Sequence, residues 1–389
     1  MHGLLVAVGM LALATAAAPA MAQGGSDLSI RLAETLEAFR ERHAFPGATA
    51  AIALPDGTVV SAASGLADRE RGRPMTPETP MLAASISKTF VAATVLALEH
   101  EGALSQAYRL AEHLGDRAWF DALPNAATVT LGQLLRHTGG LPDHVHLPAF
   151  QDAWARLGMG EGRFDPEALV AFVLGQAPLF EAGTAWAYSD TGYVLLGLVI
   201  EAVTGDTWYE AVRERFLDPL GLSATVPSDR PDLAGLAVGY VAPDNPFGMP
   251  ERTADAHGRL LWNPAVESAG GGFASTSGDL ARWGQLLFAG AAMPNPYLEQ
   301  LLASVPVDPD TPGIRYGAGV AIHADTSHGT VYGHGGWIPG YVSSLRHYAD
   351  HGVTVAFQLN SDAGFLDASS DLVAGLEAAL AELAIEVGR

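Results

Sequence analysis

Ala84-Ser85-Ile86-Ser87-Lys88-Thr89-Phe90 runs directly into Val91-Ala92-Ala93-Thr94-Val95-Leu96-Ala97-Leu98. The second half is apolar on nearly every side of a helix, which predicts a buried helix. Gly102 is a fitting stop just past its end. Ser85 stands at the helix start and Lys88 three residues on, so the two side chains share a face. A hydroxyl beside an amine at the positive end of a helix dipole suits a serine nucleophile, which needs a base and stabilisation of negative charge. Partial burial and the dipole would both favour the neutral amine. The plainer reading is a serine cap followed by a solvated lysine. A lysine in the first turn of an apolar helix opposes the dipole, however, and that oddity asks for a partner elsewhere in the chain.

The flanking segments alternate between two textures. Ser26 to His43 reads as an amphipathic helix with Leu28, Ile30, Leu32, Leu36 and Phe39 as apolar positions. Ala48 to Leu54 and Thr58 to Ala63 form a hairpin around Pro55-Asp56-Gly57, and Gly65 to Pro80 is a polar connection. From Ala103 to about Pro264 helical segments dominate, among them Asp190 to Val203 with its stop at Gly205. The last third returns to strands, Tyr316 to His323, Thr330 to His334, Tyr341 to Tyr348 and Val353 to Leu359, an antiparallel meander closed by a helix from Leu372 to Ile385. The expected architecture is α+β. An antiparallel sheet is flanked by N- and C-terminal helices (26–102 and 265–389), with an all-helical domain inserted over 103–264. Ser85 falls at the seam, where small-molecule clefts form.

Composition narrows the partners. The 389 residues carry a formal charge of -22 and no basic patch, which argues against nucleic acid and anionic membranes. The chain has no cysteine, which excludes thiolate catalysis, Cys-ligated zinc and disulfides. Leu4 to Ala18 followed by Ala20-Met21-Ala22 resembles a secretory signal, so cleavage after Ala22 and a periplasmic or secreted location are expected. No span is expected in the mature chain. Asp143, His144 and His146 lack a fourth ligand at metal spacing. Gly270-Gly271-Gly272 is not followed by the lysine of a phosphate loop, and no G-x-S-x-G string occurs.

Four stretches together resemble the serine hydrolase family of class C β-lactamases, D-alanyl-D-alanine carboxypeptidases, D-aminopeptidases and related esterases. They are Ser85-Ile86-Ser87-Lys88, Leu134 to Leu141 around His137-Thr138-Gly139-Gly140, Tyr188-Ser189-Asp190, and Gly333-His334-Gly335-Gly336-Trp337. The resemblance implies a β-lactamase/transpeptidase-like fold, and the sequence gives no sign of a metal or cofactor requirement. It implies Ser85 as acylated nucleophile, and Lys88 and Tyr188 sharing the base work, with Tyr188 also protonating the leaving group. It implies an oxyanion hole from the backbone N–H groups of Ser85 and Trp337. His334 would hold the first position of the K-T-G or H-x-G strand, with Gly335 and Gly336 letting substrate approach the backbone. His137 would belong to a structural turn. A tyrosine acts as base only if its phenol is acidified.

Two departures bear on substrate. Asp190 stands where the family carries Asn; it either pairs with Lys88 or caps the helix facing away. His334 stands for Lys and would supply a weaker positive charge. The expected activity is hydrolysis of small esters or amides through Ser85, with a D-amino-acid peptidase or β-lactamase as alternatives. A non-turnover penicillin-binding or sensor protein is another class, discriminated by Asp190. A structural envelope protein is a third, opposed by the presence of Ser85, Lys88 and Tyr188. The partner is a small-molecule or peptide substrate, and oligomeric state is open.

Overall fold

The computed structural model describes residues 18–157, 162–243, 245, 247–365 and 369–388; residues 1–17 of the expected signal lie outside them. Helix α1 (Ala18–His43) leads into β1 (Gly47–Ala53) and β2 (Val59–Asp68), joined by the expected tight turn. Along α1 the buried stripe is Leu28, Leu32, Leu36 and Phe39. Ile30 is off that stripe by two residues, about 200° of helical rotation, and is 56% exposed, contrary to its expected place in the core. The chain from Gly65 is not a simple connection: β2 continues to Asp68 and pairs with β3 (Arg73–Pro74).

The strand β4 (Met81–Leu82) comes just before the Ser85 turn. It forms a small sheet with β6 (Phe273–Ser275), which also pairs with β5 (Val226–Pro227). The segment expected to be all-helical therefore contributes one strand. The remaining strands are β7 (Val305–Pro306), β8 (Ile314–Tyr316), β9 (Ala321–Thr326), β10 (Gly329–Ile338), β11 (Tyr341–Tyr348) and β12 (Val353–Leu359). The main sheet has nine antiparallel strands in the order β3-β2-β1-β12-β11-β10-β9-β8-β7. The β1–β12 pairing, Ala48 opposite Leu359 through Ala53 opposite Thr354, sews the two ends of the chain into one sheet.

Three further helices matter for the site: α2 (Ser87–His100), α3 (Asp190–Thr204) and α4 (Ser277–Phe288). The closing helix is α5 (Leu372–Val387). One face of the sheet is covered by α1 and α5, whose Leu372, Leu376, Leu380 and Leu383 recur every three to four residues. The other face carries α4 and then α2, in a core continuous with the 103–264 segment. Phe90 of α2 stacks on Trp283 of α4 at 4.2 Å, and the Trp283 indole N–H donates to Thr89 Oγ1 at 2.8 Å. α2 is buried all round, as its sequence predicts, and Lys88 is fully buried with it. Among the described residues no helix is long and apolar enough to cross a membrane.

Candidate active site

Ser85 belongs to a 3-10 turn, Ala84–Ile86, that feeds α2, and it is partly exposed. Ala84 before it has φ +48°. Of the five non-glycine residues with positive φ among the described residues, Ala84, His137 and Ser268 all flank this site. Such conformations cost about 1–3 kcal/mol each and persist only where packing imposes them.

Lys88 Nζ donates to Ser85 Oγ at 3.0 Å, to the Gly270 carbonyl at 2.6 Å, and to Asp190 Oδ1 in a tight ion pair. An ammonium has three N–H donors, and these three acceptors use them all. Asp190 is the first residue of α3; Ser189 is the cap position, and the Asp190 carboxylate turns into the site rather than away. The pairing alternative for Asp190 is thus the one adopted.

Tyr188 OH donates to Ser85 Oγ at 2.9 Å. Its phenol is not acidified. Burial, then the Asp190 charge, holds it well above its ordinary range, so the expectation of a depressed tyrosine is not met. The ring lies 4.2 Å from His137, and Lys88 Nζ sits 4.9 Å from the Tyr188 ring centre. His137 Nδ1 accepts from the Ser189 N–H at 3.2 Å, so this turn grips the residue next to Tyr188.

His334 also departs from expectation. Its Nδ1 lies 2.5 Å from the Gly335 carbonyl and its Nε2 2.8 Å from Tyr316 OH. A carbonyl only accepts, so Nδ1 carries the hydrogen and Nε2 accepts from the tyrosine. Burial, then nearby Lys88, pushes the imidazole down to about 3. The ring is neutral, and the weaker positive charge expected at this position is absent.

The register of β10 explains what the glycines and Trp337 do. β10 pairs with β9 only up to Gly333, so Gly335 to Ile338 present an open edge on that side, against the Ser85 turn. A two-residue hairpin closes on the bonded pair Ile338–Tyr341, and bonded and non-bonded pairs alternate. Trp337, opposite Val342, therefore turns its N–H away from β11 towards the open edge. Gly336 has no room for a side chain: a Cβ there would collide with the Ala83 carbonyl and Ser343 Oγ. Gly335 is under no such constraint, its nearest neighbours lying 3.9 Å from a Cβ.

Ser85, Tyr188, Asp190 and His334 line one cavity of about 390 Å³ with Gly335, Gly336 and Trp337. Sequence reasoning missed much of the rest of its wall. Asp143, weighed only as a metal ligand, and Glu267 line it too, as do Trp154, Phe247 and Phe365. Burial, then Asp190, pushes Asp143 up to about 7 and Glu267 up to about 8. No lysine or arginine is among the described lining residues. Asp143 also accepts from the Val145 N–H, and His144 Nδ1 meets Thr191 Oγ1 at 3.0 Å, so both residues serve a turn.

The Beta-lactamase family matches residues 32–380. Penicillin-binding protein 4 of Amycolatopsis lactamdurans is 33% identical over 239 residues, 59% of this chain and 59% of that protein. Esterase EstB of Burkholderia gladioli is 35% identical over 191 residues, 48% of each. The chain thus spans about half to three-fifths of the length of these two relatives. Among solved structures, a D-stereospecific amidohydrolase from Streptomyces sp. aligns with a TM-score of 0.73 and 28% identity, over 86% of this chain and 94% of that one. The match spans both ends of the sheet and the segment between them, so this chain belongs to the Beta-lactamase family, whose members are serine acyl-transfer hydrolases.

Proposed function

We propose that this chain is an exported serine hydrolase that cleaves small, uncharged esters or amides through an acyl-enzyme on Ser85. The observation that carries the reading is that Ser85 Oγ receives hydrogen bonds from both Lys88 Nζ and Tyr188 OH. The site lies at the seam between a sheet body, residues 26–102 and 265–389, and a mainly helical insert over 103–264, which supplies Tyr188 and Asp190.

The roles follow from the donors. Lys88 passes a proton to Asp190 and, as a neutral amine, takes the Ser85 proton while Oγ bonds to the substrate carbonyl carbon. The carbonyl oxygen becomes an oxyanion held by the N–H groups of Ser85 and Trp337; such a donor contributes about 3–4 kcal/mol in the transition state. The carbonyl re-forms, the bond to the leaving group breaks, and Tyr188 gives its phenol proton to that group. Lys88 returns a proton to Tyr188. Water then repeats the sequence and frees the acid. His334 acts as a neutral polar wall.

Charge supports the uncharged substrate. Lys88 is committed to Asp190, His334 is neutral, and burial keeps Glu267 and Asp143 partly protonated near neutrality. A substrate carboxylate finds no lysine or arginine among the described residues of the cavity wall.

The test is intact mass of the protein mixed separately with a p-nitrophenyl ester and with benzylpenicillin, alongside p-nitrophenol release. Fast release with a transient adduct on Ser85, lost in Ser85→Ala, is expected. A persistent penicillin adduct with little ester turnover would favour a penicillin-binding or sensor protein. Turnover surviving in Ser85→Ala would end the hydrolase reading.

A further inference from the structure

Trp154, Phe247, Trp337 and Phe365 come from four separate parts of the chain, yet their rings form one continuous row. Trp154 meets Phe247 at 5.0 Å and 28°, Phe247 meets Trp337 at 6.1 Å and 30°, and Trp337 meets Phe365 at 5.9 Å and 19°. All four line the cavity that holds Ser85. The row is anchored. The Trp337 indole N–H donates to Asp362 Oδ2 at 3.1 Å, and that buried carboxylate also accepts from the Gly340 and Ala242 N–H groups. Trp154 is itself packed on Phe150 at 5.5 Å. Phe247, Trp337 and Phe365 remain partly exposed. A solvent-facing row of near-parallel rings is costly to leave wet, and it favours a flat apolar partner through stacking as well as burial.

We propose that this row is the subsite for an aromatic ring on the acyl half of the substrate, so that aryl-acyl esters and amides are preferred over short aliphatic ones. The assignment to the acyl half rests on the hydrolase reading above and on the two sides of the site. Tyr188, the proton donor to the leaving group, has His137, Tyr316 and His334 as its ring neighbours. The row instead continues from Trp337, whose backbone N–H faces the oxyanion. The departing half therefore lies on the Tyr188 side, and the half that stays bonded to Ser85 lies along the row.

The test compares kcat/KM for p-nitrophenyl phenylacetate and p-nitrophenyl acetate, which share a leaving group, in the parent protein and in Phe247→Ala, Phe365→Ala and Phe247→Tyr. The ratio of aryl to acetyl ester is expected to fall about tenfold in Phe247→Ala, as for the loss of one stacked partner with its contact area. Phe247→Tyr should retain it. Thermal melts check that each variant is folded; both alanine sites are partly exposed, so the fold should hold. An unchanged ratio in both folded alanine variants would overturn the proposal. So would a preference that follows a ring on the leaving group, benzyl acetate over ethyl acetate, whose alkoxides leave about equally well, while ignoring the acyl group. Loss of both turnovers in Ser85→Ala, with an unchanged ratio in the row variants, would sink the subsite and leave the hydrolase reading standing.

Discussion

Ser85 accepts from two donors in the resting site, and neither of them is a ready base. Tyr188 keeps its proton because it is buried beside Asp190. Its proposed work is donation, so Tyr188→Phe should lower kcat by about a hundred- to ten-thousandfold. The ring still fills its place against His137, so the melting temperature should change little. Steady-state kinetics and a thermal melt together check this. Lys88 Nζ spends its three N–H donors on Ser85, Gly270 and Asp190. Glu267 provides a stability readout. Its carboxyl is pushed up to about 8 from 4.5, so the native state holds that proton more tightly than the unfolded chain does. The resulting stabilisation is complete below about pH 4.5 and is lost as pH rises through about 8. Glu267→Gln removes this titration. Relative to the parent, the variant should therefore melt higher at about pH 9 than at about pH 5.

At the scale of elements, the close approach of β10 to the Ser85 turn depends on Gly336. A methyl there strikes the Ala83 carbonyl, so Gly336→Ala should move the strand off the turn. Acylation and stability should fall together, the latter by about 1–3 kcal/mol, read by denaturant unfolding. Ester turnover at the parent rate would show that the turn tolerates the shift. β11 and β12 begin and end where the spacing of turn residues in the sequence predicts. β10 runs four residues past His334, the end expected for it, because Gly335 and Gly336 are poor strand formers whose preference the pairing with β11 overrides. The strand expected from Tyr316 to His323 is broken instead, with β8 ending at Tyr316 and β9 beginning at Ala321. Gly319 between them has φ +69° and packs so closely on α2 that a Cβ would lie 2.7 Å from the Lys88 carbonyl. No local pattern announces a break imposed by a helix more than two hundred residues earlier.

The whole molecule carries a formal charge of -22, and self-repulsion of that size opposes compaction. Raising NaCl from about 10 mM to about 200 mM shortens the screening length from about 30 Å to below about 10 Å. The melting temperature should rise by roughly 2 °C or more, the equivalent of about 1 kcal/mol. A flat response would mean that the charges are already spread widely enough to be screened. At this scale sequence and tertiary structure divide the work clearly. The sequence by itself determined the buried α2, the shared face of Ser85 and Lys88, the sheet-forming ends of the chain and the order of its motifs. Each of these is written in hydrophobic periodicity or short spacing, which act over a few residues. Only the tertiary structure decided the protonation of the site: a neutral His334 bonded to Tyr316, a protonated Tyr188 and a Glu267 with its pKa raised. It alone brought Trp154, Phe247, Trp337 and Phe365 into one row. Burial and charge–charge distance set those properties, and both arise between residues that lie far apart along the chain and meet only when it is folded.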